Sequence, residues 1–106
     1  MMKEQAILQT LGLATRARML ITGEELVLKE IRSNKAKIVI LAKDASENTR
    51  KKFSDKCSFY NVELHEFSDR YTLGHATGKE ARVALAITDA GFAKKLSGLL
   101  NESNRG

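Results

Sequence analysis

At 106 residues the chain is long enough for one domain with a modest core and too short for a typical two-domain enzyme. Hydrophobic residues make up 42% and charged residues 29%, a globular balance. A formal net charge of +5, from 18 Lys and Arg against 13 Asp and Glu, favours an anionic partner, most often nucleic acid.

Residues 3–12 place Ile7, Leu8 and Leu11 at helical spacing, and Gly12 is read as the stop. A short strand is expected near 17–21. Thr22 with Glu25 three residues later forms a capping-box pattern that opens a second helix from Gly23 to about Ser33. Gly23 permits close backbone approach. Val27, Leu28 and Ile31 form the core stripe of this helix, while Glu25, Leu26, Lys29 and Arg32 point away. Lys37-Ile38-Val39-Ile40-Leu41-Ala42 is apolar on both faces and reads as a central strand. Ser46 is the expected N-cap of a helix near 46–59, whose core contacts come from Phe53, Cys57 and either Phe59 or Tyr60.

Val62 to Phe67 has the mixed pattern of an outer strand. Ser68 to Leu73 fits one or two helical turns stopped by Gly74. In the strand 82–88, large Val83, Leu85 and Ile87 face one way; small Ala84 and Ala86 face the other, where a helix can pack closely. Thr88 or Asp89 caps a last helix carrying Phe92, Leu96, Leu99 and Leu100, and a frayed tail is expected over 101–106. Helices alternating with about four strands predict an α/β fold, a three-layer α/β/α sandwich in a single domain over 1–106.

Catalytic chemistry finds little support. His65 and His75 stand ten residues apart with Cys57 alone, so no metal-ligand cluster is visible. Cys57 lies on a core face, where thiols are usually inert, and no nucleophile–base spacing stands out. Being the one cysteine, it excludes an internal disulfide and fits a reducing, cytoplasmic setting. No leader pattern follows Lys3 and Glu4, and the longest apolar run, Ile38 to Ala42, is far too short for a bilayer. Asp44, just after the central strand, stands where open α/β folds carry sites, but capping its own turn is the better account. Gly74-x-x-x-Gly78 lacks the context of a dinucleotide fingerprint. The residues thus support catalysis and metal binding only weakly, with a phospho-acceptor or metal-ligand role of Asp44 as the alternative.

The helix start at Thr22 and Gly23 offers unpaired N–H groups and the positive end of a dipole, which suits phosphate. Lys29 and Arg32 lie one to two turns on. Arg16, Arg18, Lys35 and Lys37 crowd the same third of the chain; Arg50-Lys51-Lys52 and Arg70 form further groups able to contact phosphates. Tyr71, beside Arg70 at a helix start, is placed either to stack on a base or to pack over the strand ends.

Gly23-x-x-x-x-x-Lys29, then Ile38-Val39-Ile40-Leu41-Ala42-Lys43-Asp44-Ala45, then Leu73-Gly74-x-Ala76-x-Gly78, resemble in order and spacing the kink-turn-binding ribosomal protein superfamily. This is the superfamily of the large-subunit proteins seven-A-e and thirty-e. Gly12-Leu13-Ala14-Thr15-Arg16-Ala17-Arg18 and Gly78-Lys79-Glu80-Ala81-Arg82-Val83 resemble its bacterial YlxQ-type branch. The likeness covers about residues 4–100.

The resemblance implies a four-stranded mixed sheet between helices and non-enzymatic binding of structured RNA, ribosomal or kink-turn-like, with no cofactor and no metal. It also implies that Gly23, Glu25, Leu26 and Lys29 meet sheared G·A pairs. Ser46 and Arg50 would lie near an extruded base, with Ser68, Asp69, Arg70 and Tyr71 as the opposite wall. The family pattern usually has Asn where this chain has Glu25, and Glu or Gln where it has Leu26. Asn both donates and accepts, ionised Glu only accepts, and Leu does neither. Each lost bidentate base contact is worth about 1–3 kcal/mol. Glu25 is also spaced to pair with Lys29. The expected partner is RNA, bound by a monomer; the alternative is a protein-interaction module of the translation machinery, using exposed Leu26.

Overall fold

The computed structural model describes residues 2–104, and the side chains of 3–102. Five helices alternate with four strands: α1 (Met2–Arg16), β1 (Leu20–Thr22), α2 (Glu24–Arg32), β2 (Ile38–Leu41), α3 (Glu47–Tyr60), β3 (Glu63–Glu66), α4 (Arg70–Ala76), β4 (Ala84–Ile87) and α5 (Ala90–Asn104). The sheet order is β1-β4-β2-β3. β4 is antiparallel to β1 and to β2, whereas β3 is parallel to β2. Hence β1, β2 and β3 run the same way, and the sheet is mixed as expected.

Alternation along the two central strands divides the core. Ile38 and Ile40 of β2 and Leu85 and Ile87 of β4 pack with Ile7 and Leu11 of α1, Leu73 of α4, and Leu96 and Leu100 of α5. Val39, Leu41, Ala84 and Ala86 pack with Val27, Leu28 and Ile31 of α2 and with Phe53 and Cys57 of α3. Both faces of β2 and β4 are covered, which is why they read as continuous apolar runs. The three-layer sandwich is thus α1, α4 and α5 on one face, and α2 and α3 on the other. β3, at the sheet edge, is only half-covered and keeps a mixed sequence.

Helix ends are where the sequence reading departs most from the structure. α1 does not stop at Gly12, because Leu11 and Ala14 continue the stripe begun by Ile7, and every turn gains burial. It ends at Arg18 (φ 60°), where the Arg18 N–H donates to the Thr15 carbonyl and the Met19 N–H to that of Ala14. This is a Schellman closure with a left-handed residue. Asn34 (φ 63°) closes α2 and Asn61 (φ 59°) closes α3 in the same way. α4 likewise runs past Gly74 to a closure at Gly78 (φ 75°). Gly74 serves packing instead: a Cβ there would lie 2.7 Å from the Ala81 backbone.

Other expectations shift in detail. β1 starts at Leu20, later than 17. Phe59 is 80% exposed and Tyr60 makes the core contact. Val83 precedes β4 and packs with α2 and α3, apart from Leu85 and Ile87. Asp89, not Thr88, caps α5, its Oδ2 accepting from the Phe92 N–H at 2.8 Å. α5 runs through Asn104, so the expected tail overlaps its last turn; 105–106 lie outside the described residues.

Candidate functional site

Three parallel strands ending together bring three helix starts to one end of the sheet. β1 delivers α2 through Gly23 alone, β2 delivers α3 through residues 42–46, and β3 delivers α4 through 67–69. The chain leading into β4 reaches the same end, since Thr22 faces Leu85 and Leu41 faces Ala84. Strand C-termini are where open α/β sheets carry their sites.

The capping box is not formed. α2 has Gly23 as its N-cap, without a side-chain cap. Gly23 holds φ 101° and ψ 142°, a backbone only glycine adopts readily. Its N–H donates to the Ala84 carbonyl at 3.0 Å, and nothing in the protein lies within 4 Å of where a Cβ would be. The room above the α2 start is open to a partner. Thr22 Oγ1 accepts from Arg82 Nε at 3.1 Å, which diverts it from the helix. Glu25, Leu26 and Lys29 are exposed, Leu26 by 56%. Glu25 forms no ion pair with Lys29 among the described residues.

At the α3 start, Ser46 is the N-cap, its Oγ accepting from the Thr49 N–H at 3.2 Å. Thr49 Oγ1 donates across to Glu24 Oε1 of α2 at 3.4 Å. Arg50 turns inward. Its Nη2 donates to the Lys43 carbonyl at 2.8 Å, and its Nε lies 3.2 Å from Glu66 Oε2.

At the α4 start, Asp69 Oδ1 accepts from the N–H groups of Tyr71 (2.9 Å) and Thr72 (2.8 Å). The Thr72 bonds above all, from backbone and hydroxyl, hold the Asp69 carboxyl below its ordinary value. Ser68 has φ 58°, and its carbonyl accepts from the Lys43 N–H at 2.8 Å. Tyr71 is 59% exposed, so packing over the strand ends does not account for it. Arg70 is fixed to Asp44 by three bonds: its N–H to Oδ1 at 3.1 Å, Nε to Oδ2 at 3.2 Å and Nη2 to the Asp44 carbonyl at 2.7 Å. Asp44 therefore does not cap its own turn; it ties the β2–α3 loop to α4. The Arg70 carbonyl in turn accepts from the Arg82 N–H at 2.9 Å.

These contacts close on themselves. Thr22 meets Arg82, Arg82 meets Arg70, Arg70 meets Asp44, the Asp44 loop meets Arg50, and α3 returns through Thr49 to Glu24, two residues from Thr22. The ring fixes the three helix starts relative to one another. The structure therefore brings together Thr22, Gly23, Glu25, Leu26, Ser46, Arg50, Ser68, Asp69, Arg70 and Tyr71, with Lys29 more than a turn along α2. Arg32, in the last turn of α2, points to the other end of the sheet. Asp44, Thr49, Glu24 and Arg82 were not anticipated in this arrangement. Their partners lie 25 to 60 residues away, and no local pattern announces such bonds.

No group of three or more His, Cys, Asp or Glu able to hold a metal ion occurs among the described residues. Burial pushes the Cys57 thiol up to about 11, far from a reactive thiolate. His65, on β3, is bonded to Glu63 (Nε2 to Oε2, 2.6 Å). No described helix is long and apolar enough to cross a membrane.

Comparison with known proteins places the chain among relatives of this architecture. The family model described as ribosomal protein L7Ae/L30e/S12e/Gadd45 matches residues 5–97. An RNA-binding protein YlxQ of Bacillus subtilis is 55% identical over 91 residues, 86% of this chain and 91% of the relative. One of the same name from Enterococcus faecium is 48% identical over 96 residues, 91% of this chain and 92% of the relative. A solved structure of a protein of unknown function from Bacillus halodurans superposes with a TM-score of 0.87 at 44% identity, covering 90% of this chain and 96% of that one. A 15.5 kD RNA-binding protein from Giardia lamblia shares the fold, with a TM-score of 0.83 at 16% identity over 99% of this chain and 90% of its own.

Proposed function

The chain belongs to the ribosomal protein L7Ae/L30e/S12e/Gadd45 family, and from that premise we propose that it binds structured RNA and catalyses no reaction. It acts as a single-domain, monomeric, cytoplasmic factor on ribosomal or kink-turn-like RNA. One observation carries the reading: a closed ring of hydrogen bonds holds three helix starts at one end of the sheet, with open space over Gly23. Backbone N–H groups at a helix start suit phosphate. The α2 start, with Gly23, Glu25, Leu26 and Lys29, lies against the RNA backbone and base edges. Exposed Tyr71 offers a face for an unstacked base, with Ser46, Ser68 and Asp69 around it.

Arg50 and Arg70 act through the ring, because Arg50 Nη2 and Arg70 Nε and Nη2 already donate to protein oxygens. Lys29 supplies free charge, and Arg32 contributes only to RNA that extends along α2. The YlxQ relatives named as RNA-binding proteins support RNA as the partner class.

The test is fluorescence anisotropy with a labelled kink-turn RNA and a labelled plain duplex of equal length. Preferential binding of the kink-turn, weakened several-fold by Lys29→Ala with Tyr71→Ala, is expected. No RNA binding at all would overturn the proposal. Leu26 and Tyr71, both exposed, also favour a second reading, a protein contact within the translation machinery. Partners that survive ribonuclease treatment and are lost in Leu26→Ser would support that reading.

A further inference from the structure

The opposite end of the sheet, where β1, β2 and β3 begin, carries charge that the proposed site does not use. Two loops meet there. The α1–β1 loop is tied to the end of β4 by the Thr88 N–H donating to the Met19 carbonyl at 2.9 Å, and the α2–β2 loop by the Lys37 N–H donating to the Ile87 carbonyl at 2.8 Å. Between them lies a groove of about 390 Å³, lined by Arg18, Lys35, Lys37, Glu30, Asn34 and Thr88 among others. Arg18, Lys35 and Lys37 are exposed, as is Arg32 in the last turn of α2. None of these four forms an ion pair or a side-chain hydrogen bond among the described residues.

Glu30 is the one carboxylate in the groove wall, so positive charge outnumbers negative there. Of the acids nearby, Asp89 is committed to capping α5, and Glu63 to His65 and Ser97. Lys94 of α5 shares the next groove with Lys37 and extends the strip. Helix dipoles favour cations at the ends of α1 and α2, but Lys37 belongs to neither end, and the carbonyls of residues 13–15 and 29–31 already have backbone partners. Unpaired cations around a concavity with a single acid fit a chain of phosphates: they attract it at long range and read no sequence.

We propose that this end is a second RNA contact, engaging the phosphate backbone of a helical segment distinct from the one held at the α2 start. It rests on the RNA-binding reading above. The protein then bridges two segments of a folded RNA across a body about 30 Å thick.

The test uses the full chain carrying Arg18→Asn, Lys35→Ala and Lys37→Ala; Asn suits the left-handed backbone at 18. The probes are a labelled kink-turn RNA with a long duplex stem and the same stem alone. Loss of three phosphate contacts should make the plot of log affinity against log salt shallower by about 2 to 3 units, with at least roughly tenfold weaker binding at low salt. The preference for kink-turn over stem should hold, and the charge-preserving Arg18→Lys, Lys35→Arg, Lys37→Arg variant should bind as the parent does. An unchanged salt slope in the neutralised variant, with the parent binding RNA, overturns this inference and leaves the proposed function standing. A loss of thermal stability with unchanged affinity assigns the charges to the helix dipoles, and also overturns it. A parent that binds neither RNA overturns both.

Discussion

Where the strands end, the side chains of Arg50, Arg70 and Arg82 each donate to protein oxygens; where they begin, the side chains of Arg18, Lys35 and Lys37 donate to none among the described residues. Both ends are basic in sequence, and they do different things with the charge. The planar guanidinium, with its five donors, links several acceptors at once, so arginine is the residue that ties loops together. At the ring end, charge becomes geometry. At the other end, charge stays available to solvent and to any polyanion. Counting basic residues near a site therefore misjudges them until their partners are known.

The largest break in this comparison is at Gly23. Gly23→Val forces a β-branched residue into φ 101°, which costs about 1–3 kcal/mol. It also fills the open space over the α2 start. Urea unfolding should show the loss, and kink-turn affinity should fall far more than the stability change requires, while the salt-dependent contact at the far end persists. Next comes Asp44→Ala. It strips Arg70 of two charge-assisted bonds, worth about 1–3 kcal/mol at most and less after solvent screening. Simple electrostatics says that removing a carboxylate from an RNA binder strengthens binding. The ring says that it weakens binding, because α4 loses its fixed place. A gain in affinity for Asp44→Ala, measured by anisotropy, would count against the ring as a functional element.

A third variant sharpens the ring end. Glu25→Asn with Leu26→Gln restores the groups that the family pattern carries beside open Gly23. Both positions are exposed, so stability should hardly move. Affinity for a kink-turn RNA should rise by roughly tenfold or more, from about 1–3 kcal/mol per recovered bidentate contact. Equal affinities for parent and double variant would show that this surface does not read the G·A pairs.

The layered architecture was legible because its signals are local and apolar. Ile38 to Leu41 could only be a strand covered on both faces, and the alternation of small and large residues in β4 named the face on which α2 packs. Helix ends were less legible. The glycine stops expected at Gly12 and Gly74 are not where α1 and α4 close, which is at Arg18 and Gly78, while α2 and α3 close on Asn34 and Asn61. A left-handed residue costs little enough that packing of the final turn decides where a helix stops. The capping box failed for a related reason. Thr22 is a strand residue, and its hydroxyl is taken by Arg82, 60 positions away. The family resemblance pointed to the α2 and α4 starts as the site, but it did not distinguish exposed Lys29 and Tyr71 from the committed Arg50 and Arg70. That distinction depends on Asp44, Glu66 and Lys43, whose proximity only the folded chain creates.

The smallest expected effect lies at the far end, in the contact between β3 and α5. Partial burial disfavours ionised Glu63, but hydrogen bonds from Ser97 and His65, together with the His65 charge, outweigh it and hold the carboxyl below its ordinary value of 4.5. A carboxyl lowered by folding contributes stability that is fully present above its unfolded value and is lost as pH falls through the folded one. Thermal unfolding should therefore show a modest loss below about pH 4.5 that Glu63→Gln flattens. Glu63 borders the groove shared by Lys37 and Lys94. At neutral pH the same substitution removes a negative charge beside the proposed phosphate contact, and RNA affinity at low salt should rise slightly. A rise confined to RNA with a long stem ties the effect to the far end; an equal rise on every RNA makes it a matter of net charge alone.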